Sequence, residues 1–184
     1  MAARTIAAAL RILIGAALIY LGAQKLSDID LLYGGLMHRI DELGEPFAFY
    51  DRFLIRFVEF RQEKVVYAVA IGEILVGTSF VFGALVSLGA LAGAFLLANF
   101  ALATTAGNLP MLIAHLAAIA VLLMLGRGGA GLTWGLDGWL VQRVHEALVL
   151  FPLRRRLPPV RTRLVAQPQS ARRPGPPSST GPPR

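Results

Sequence analysis

No cysteine occurs in this chain, which removes disulfides, CxxC thiol redox chemistry, thiolate metal sites, iron–sulfur clusters and attached c-type haem as intrinsic chemistry. Any redox work must therefore use a borrowed cofactor. Charge is scarce as well: Asp, Glu, Lys and Arg make up only 16% of 184 residues, against 55% hydrophobic residues. That balance is too apolar for a soluble domain of this length and points to a small membrane protein. A nucleotide-binding loop, a hydrolase triad and an HExxH metal motif are also missing; GRGGAG at 126–131 lacks the strand that a phosphate loop needs before it. No metal site is expected.

The few charges are gathered at the N-terminus, in a segment after the first apolar run and in the C-terminal third, leaving long apolar runs between them. About twenty apolar residues at 1.5 Å rise cross a hydrocarbon core of about 30 Å. Four segments meet or nearly meet that length, at 6–26, 64–86, 87–106 and 110–127. Short turns around Gly83 and at AGNLP (106–110) make the last three antiparallel neighbours. The first segment has Arg4 ahead of an apolar stretch, as a signal peptide would, but Arg11 interrupts it, which favours an uncleaved helix.

From residue 126 onward ten Arg stand against Asp137 and Glu146. An excess of that kind beside a span fits the positive-inside bias, so both termini are expected in the cytoplasm, and no nucleic-acid partner is expected. The loop at 27–63 is then external, although its own four Arg count against that orientation. Within it Phe49, Phe53, Phe57 and Phe60 recur at helical spacing. They form one aromatic face, which either lies along the membrane surface or packs on the protein. Trp134 and Trp139 in a glycine-rich turn suit a membrane interface. A short amphipathic segment at 141–156 follows, then a tail at 157–184 that holds eight of the eleven prolines, many Arg and no aromatic residue. Such a tail cannot bury a core and is expected to be disordered near anionic headgroups. The fold expected is thus an all-α polytopic membrane four-helix bundle at 1–140, with an amphipathic helix in its first loop and a disordered basic tail.

Ionisable groups inside spans are costly and suggest function. Arg11, Glu73 and His115 are such groups, with Asn99 as a neutral companion; Gln24, Lys25 and Asp137 are secondary candidates. Arg11, Gly15, Leu18, Gly22 and Lys25 share one face of the first helix, where two glycines between two cations make a groove for another helix or a ligand. Counting rise from the outer boundary puts Lys25 at about 2 Å, His115 at about 8 Å, Asn99 at about 11 Å, Glu73 at about 14 Å and Arg11 at about 22 Å. Each span contributes a rung to one polar series. Glu73 is then either paired with Arg11 or protonated. Three uses of the series stay open: a buried pair that fixes register, a pocket for a small ligand or quinone headgroup, and a proton or ion path. His115 suits a bundle hydrogen bond better than haem, because His38 and His145 lie outside the spans. Gly89 and Gly93 match GxxxG and serve either packing within the chain or a homo-oligomer.

The first helix, LRILIGAALIYLGAQKL, resembles the opening of the DoxX family, with an early Arg, small residues and then G-x-x-K-L. Glu73, Gly77 and Gly83 are similar to that family's second-helix pattern, and Gly131, Gly135, Leu136 and Asp137 to its G-x-x-x-G-L-D ending. The resemblance covers about residues 6–140. It implies a four-helix bacterial inner-membrane bundle, kin to the small subunit of thiosulfate:quinone oxidoreductase, with no intrinsic cofactor and with quinone and a redox partner protein as associates. If the chain takes part in catalysis, the resemblance implies an oxidoreductase subunit. The long first loop and the Arg- and Pro-rich tail depart from the family pattern. A small transporter component, and a membrane anchor whose tail recruits a cytosolic protein, are the alternatives.

Overall fold

The computed structural model describes residues 2–143. Most of the 141–156 segment and the whole tail at 157–184 lie outside the described residues. Among the described residues seven α-helices follow one another: α1 (Ala2–Ser27), α2 (Leu36–Leu43), α3 (Ala48–Phe53), α4 (Gln62–Phe82), α5 (Val86–Thr104), α6 (Leu109–Gly128) and α7 (Asp137–Arg143). Four stretches, Arg4–Ser27, Ala48–Phe82, Val86–Thr104 and Leu109–Gly128, are long and apolar enough to cross a membrane. The described residues are thus overwhelmingly helical, and four stretches have the length and apolarity that the apolar runs predict for membrane spans.

The ends of these helices follow from local chemistry. α4 stops where Gly83 takes a left-handed conformation (φ 65°), and α6 stops the same way at Gly129 (φ 68°). α6 begins at Asn108, whose side-chain oxygen accepts from the Met111 amide at 3.1 Å, with Pro110 in the first turn where no amide is needed. The α4–α5 turn is confined to Gly83, Ala84 and Leu85. α5 thus starts at Val86, inside the stretch that hydropathy alone assigns to the preceding span.

Close contacts run from α1 to α4, from α4 to α5 and from α5 to α6. One core cluster gathers Val76 and Phe80 of α4, Val86 and Ala90 of α5, and Leu122 and Leu125 of α6, with Ala7, Ile14 and Leu18 of α1 against it. A second lies at the opposite end, where Ile40, Leu54, Val58 and Ala103 bring the first loop onto α5. The backbone joins in: Phe47 donates to the Leu102 carbonyl at 3.0 Å and Ala106 to the Glu45 carbonyl at 2.9 Å.

Between α3 and α4 the chain stays helical, loosened over Leu54–Val58 and tightened over Glu59–Arg61. The loop helix packs on the protein through Tyr50, Leu54 and Val58, and it leaves its aromatic face outward. Phe49, Phe53, Phe57 and Phe60 are 59%, 42%, 51% and 81% exposed. Trp134 and Trp139 are exposed in the same way at the other end.

Candidate functional site

The seam between α1 and α4 is built on glycine. A Cβ at Gly15 would stand 2.7 Å from the Gly77 carbonyl oxygen, one at Gly77 would stand 2.6 Å from the Gly15 oxygen, and one at Gly22 would stand 2.7 Å from the Ala70 oxygen. Real Cβ atoms do not come so near, so only glycine lets the two backbones meet. The groove expected on α1 is therefore filled by α4, with a cation at each end.

This antiparallel register decides the partners of Glu73. Gly15 faces Gly77 and Val81, Gly22 faces Ala70 and Ile74, and Arg11 faces Gly83. Arg11 thus lies about ten residues, roughly 15 Å, beyond Glu73 along α4. The offset of about 8 Å obtained from span ends is too small, and Arg11 does not reach Glu73. Lys25 does: its Nζ donates to Glu73 Oε1 at 2.9 Å and Oε2 at 2.7 Å. The two side chains are 25% and 14% exposed. Nearby, Gln24 is exposed and donates from Nε2 to the Tyr20 hydroxyl at 2.8 Å.

Arg11 is fully buried at the opposite end of the seam. Its Nη2 donates to the Trp134 carbonyl at 3.0 Å, while Nε and Nη1 find no acceptor among the described residues. Nη1 lies against Gly83 and Gly135, where any Cβ would collide with it. Gly83 is doubly constrained, by its left-handed φ and by this guanidinium.

Asp137, 4% exposed, completes the same end. Leu85, the residue that caps the start of α5, has no side-chain oxygen to offer the first free amides. Asp137 supplies it across 51 and 52 residues of sequence: Oδ1 accepts from the Leu85 amide at 2.6 Å and Oδ2 from the Val86 amide at 3.1 Å. In return, the Leu136 and Asp137 amides donate to the Phe82 and Gly83 carbonyls at 3.0 and 2.8 Å. The glycine-rich segment therefore caps the end of α4 and the start of α5 together. Burial pushes the Asp137 carboxyl above its ordinary range, against the Leu85 and Val86 hydrogen bonds and the Arg11 charge, which pull it down.

The two remaining rungs sit on α5 and α6, apart from both groups. Asn99 Oδ1 accepts from the Tyr50 hydroxyl at 2.8 Å, and its Nδ2 donates to the Phe95 carbonyl at 2.7 Å. His115 stacks on Phe100 with ring centroids 5.6 Å apart. Its Nδ1 lies 2.8 Å from the Met111 carbonyl. A carbonyl only accepts, so Nδ1 carries the proton in this contact.

The polar series expected from depth is thus resolved into separate groups: Lys25 with Glu73, Arg11 with Asp137, Asn99 with Tyr50, and His115 with Phe100. Tyr50 escaped sequence reading because it is surrounded by phenylalanines in an aromatic stretch. Gly89 and Gly93 face inward, a Cβ at Gly89 meeting Ser79 and one at Gly93 meeting Leu122 and Val76. Among the described residues no three His, Asp or Glu side chains gather as a metal ion would require. No protein-family model, curated protein or solved structure matches the chain.

Proposed function

We propose that the chain is a DoxX-like protein of the bacterial cytoplasmic membrane, with both termini in the cytoplasm, serving as an accessory, quinone-interacting subunit of a membrane redox assembly. The observation that carries this reading is the Lys25–Glu73 ion pair, held between two close-packed apolar helices yet partly exposed. An ion pair in hydrocarbon is costly, and a pair that only packs is often replaceable by apolar residues. Its exposure gives it a further use. A quinone carries carbonyl oxygens to which an ammonium donates, and the quinol carries hydroxyls from which a carboxylate accepts. Lys25 and Glu73 offer both kinds of group side by side, at a seam open to a ligand dissolved in the bilayer.

The residues of the family resemblance support the same reading by where they lie. Lys25 belongs to its G-x-x-K-L and Glu73 to its second-helix pattern, and the two pair. Arg11, Gly83, Gly131, Gly135 and Asp137, from three separate motifs, meet at the opposite end of the bundle as a framework. In this reading Lys25 and Glu73 hold the headgroup, and electrons come from a partner protein.

Purification of the full chain from its native membrane in mild detergent tests this directly. Copurification of a flavin- or metal-containing protein together with extractable quinone is expected. An isolated, quinone-free protein overturns the reading.

A further inference from the structure

At the entry to α4, the end of the first loop opposes the kinked segment after α1 and leaves a cleft of about 310 Å³. Tyr33 stands on one wall; Glu59, Phe60, Arg61, Glu63 and Lys64 stand on the other. The four charges balance, two carboxylates against two cations. None of the four makes an ion pair among the described residues, whereas Lys25 and Arg39 both find carboxylates. Arg61 donates only a long hydrogen bond, 3.4 Å, to the Phe57 carbonyl. Each of the four side chains therefore keeps hydrogen-bonding capacity for something outside the chain.

The position of the cleft limits what that is. The cleft residues Glu59, Arg61, Glu63 and Lys64 lie within the long candidate stretch Ala48–Phe82, and after Lys64 that stretch carries no charge but Glu73; with this apolar part in hydrocarbon, the cleft falls at the level of lipid headgroups. Tyr33 and Phe60, 84% and 81% exposed, stand beside it as aromatic residues do at a membrane boundary. We propose that the cleft binds one phospholipid with a primary ammonium in its headgroup, an ethanolamine lipid. Arg61 and Lys64 take the phosphate, Glu59 and Glu63 take the ammonium, and Tyr33 and Phe60 lie along the root of the acyl chains.

Charge complementarity selects this class. An anionic headgroup satisfies the two cations but sets a negative group beside two carboxylates. A choline headgroup carries the positive charge without an N–H, so the carboxylates gain no hydrogen bond from it. The assignment does not depend on a quinone at Lys25 and Glu73.

Native mass spectrometry of the full chain in detergent, titrated with ethanolamine, choline and glycerol phospholipids of identical acyl chains, tests it. The ethanolamine lipid is expected to bind roughly tenfold more tightly than either of the others. An Arg61→Gln/Lys64→Gln variant should lose about that factor. A Glu59→Gln/Glu63→Gln variant should instead prefer the anionic glycerol lipid. All these positions are exposed, so the variants should keep the wild-type unfolding midpoint in SDS. Equal binding of the three lipids, a wild-type preference for the anionic one, or an unchanged preference in the Glu variant overturns the assignment.

Discussion

Replacing Asp137 by alanine should weaken the whole bundle, although the residue lies outside every span. Its two oxygens hold the Leu85 and Val86 amides at 2.6 and 3.1 Å in a site where the residue is 4% exposed. Each buried donor left without a partner costs about 1–3 kcal/mol. Losing a helix N-cap costs about 0.5–2 kcal/mol. These describe overlapping effects, so a total of about 3 kcal/mol is expected. Asp137→Asn keeps one acceptor but turns an amide donor toward a backbone N–H, and should cost about 2 kcal/mol. The assay is SDS titration of the purified chain in mixed micelles, followed by far-UV circular dichroism. An alanine variant within about 0.5 kcal/mol of wild type refutes the capping role.

Four further outcomes are expected. Because burial raises the Asp137 carboxyl, the folded state binds its proton more tightly than the unfolded chain. That proton-linked contribution is fully present below the unfolded carboxyl value and is lost as pH rises through the folded one, so the wild-type unfolding midpoint should fall over that window while that of Asp137→Asn stays flat. Gly77→Ala should cost more than about 2 kcal/mol, because its Cβ would stand 2.6 Å from the Gly15 oxygen, whereas Gly128→Ala, with open space, should be near neutral by the same titration. Tyr50→Phe removes the 2.8 Å bond to Asn99 and should cost about 1 kcal/mol, read as faster amide exchange across Phe47 to Arg61. Arg11→Met, which places a methionine at a fully buried site, should destabilise less than Arg11→Ala, since much of the Arg11 contribution is packing.

The spans were legible in the sequence because hydrocarbon demands about twenty apolar residues whatever the packing. The glycine groove on α1 was legible too, since Arg11, Gly15, Gly22 and Lys25 fall on one face by spacing alone. What the spacing could not give was register between helices. Depth counted from span ends put Glu73 within reach of Arg11, but contacts at Gly15, Gly22 and Gly77 slide α1 so that Lys25 takes that place. Asp137 was visible as a candidate, but its role as a cap for α5 was not. A cap contributed from 51 residues away leaves no local signal. The aromatic face of the loop helix was correct as a face; that the neighbouring Tyr50, Leu54 and Val58 do the packing depends on α5 being there to receive them.

The claim that Lys25 and Glu73 hold a quinone headgroup is tested most directly by titrating a short-chain ubiquinone into the full chain in nanodiscs, with the Lys25→Met/Glu73→Gln double variant in parallel. The double change removes both charges together, so neither is left buried and alone. Saturable binding by wild type and a loss of at least roughly tenfold in the variant is the predicted result. Equal affinity in the two proteins, or no saturable binding by wild type, would contradict it.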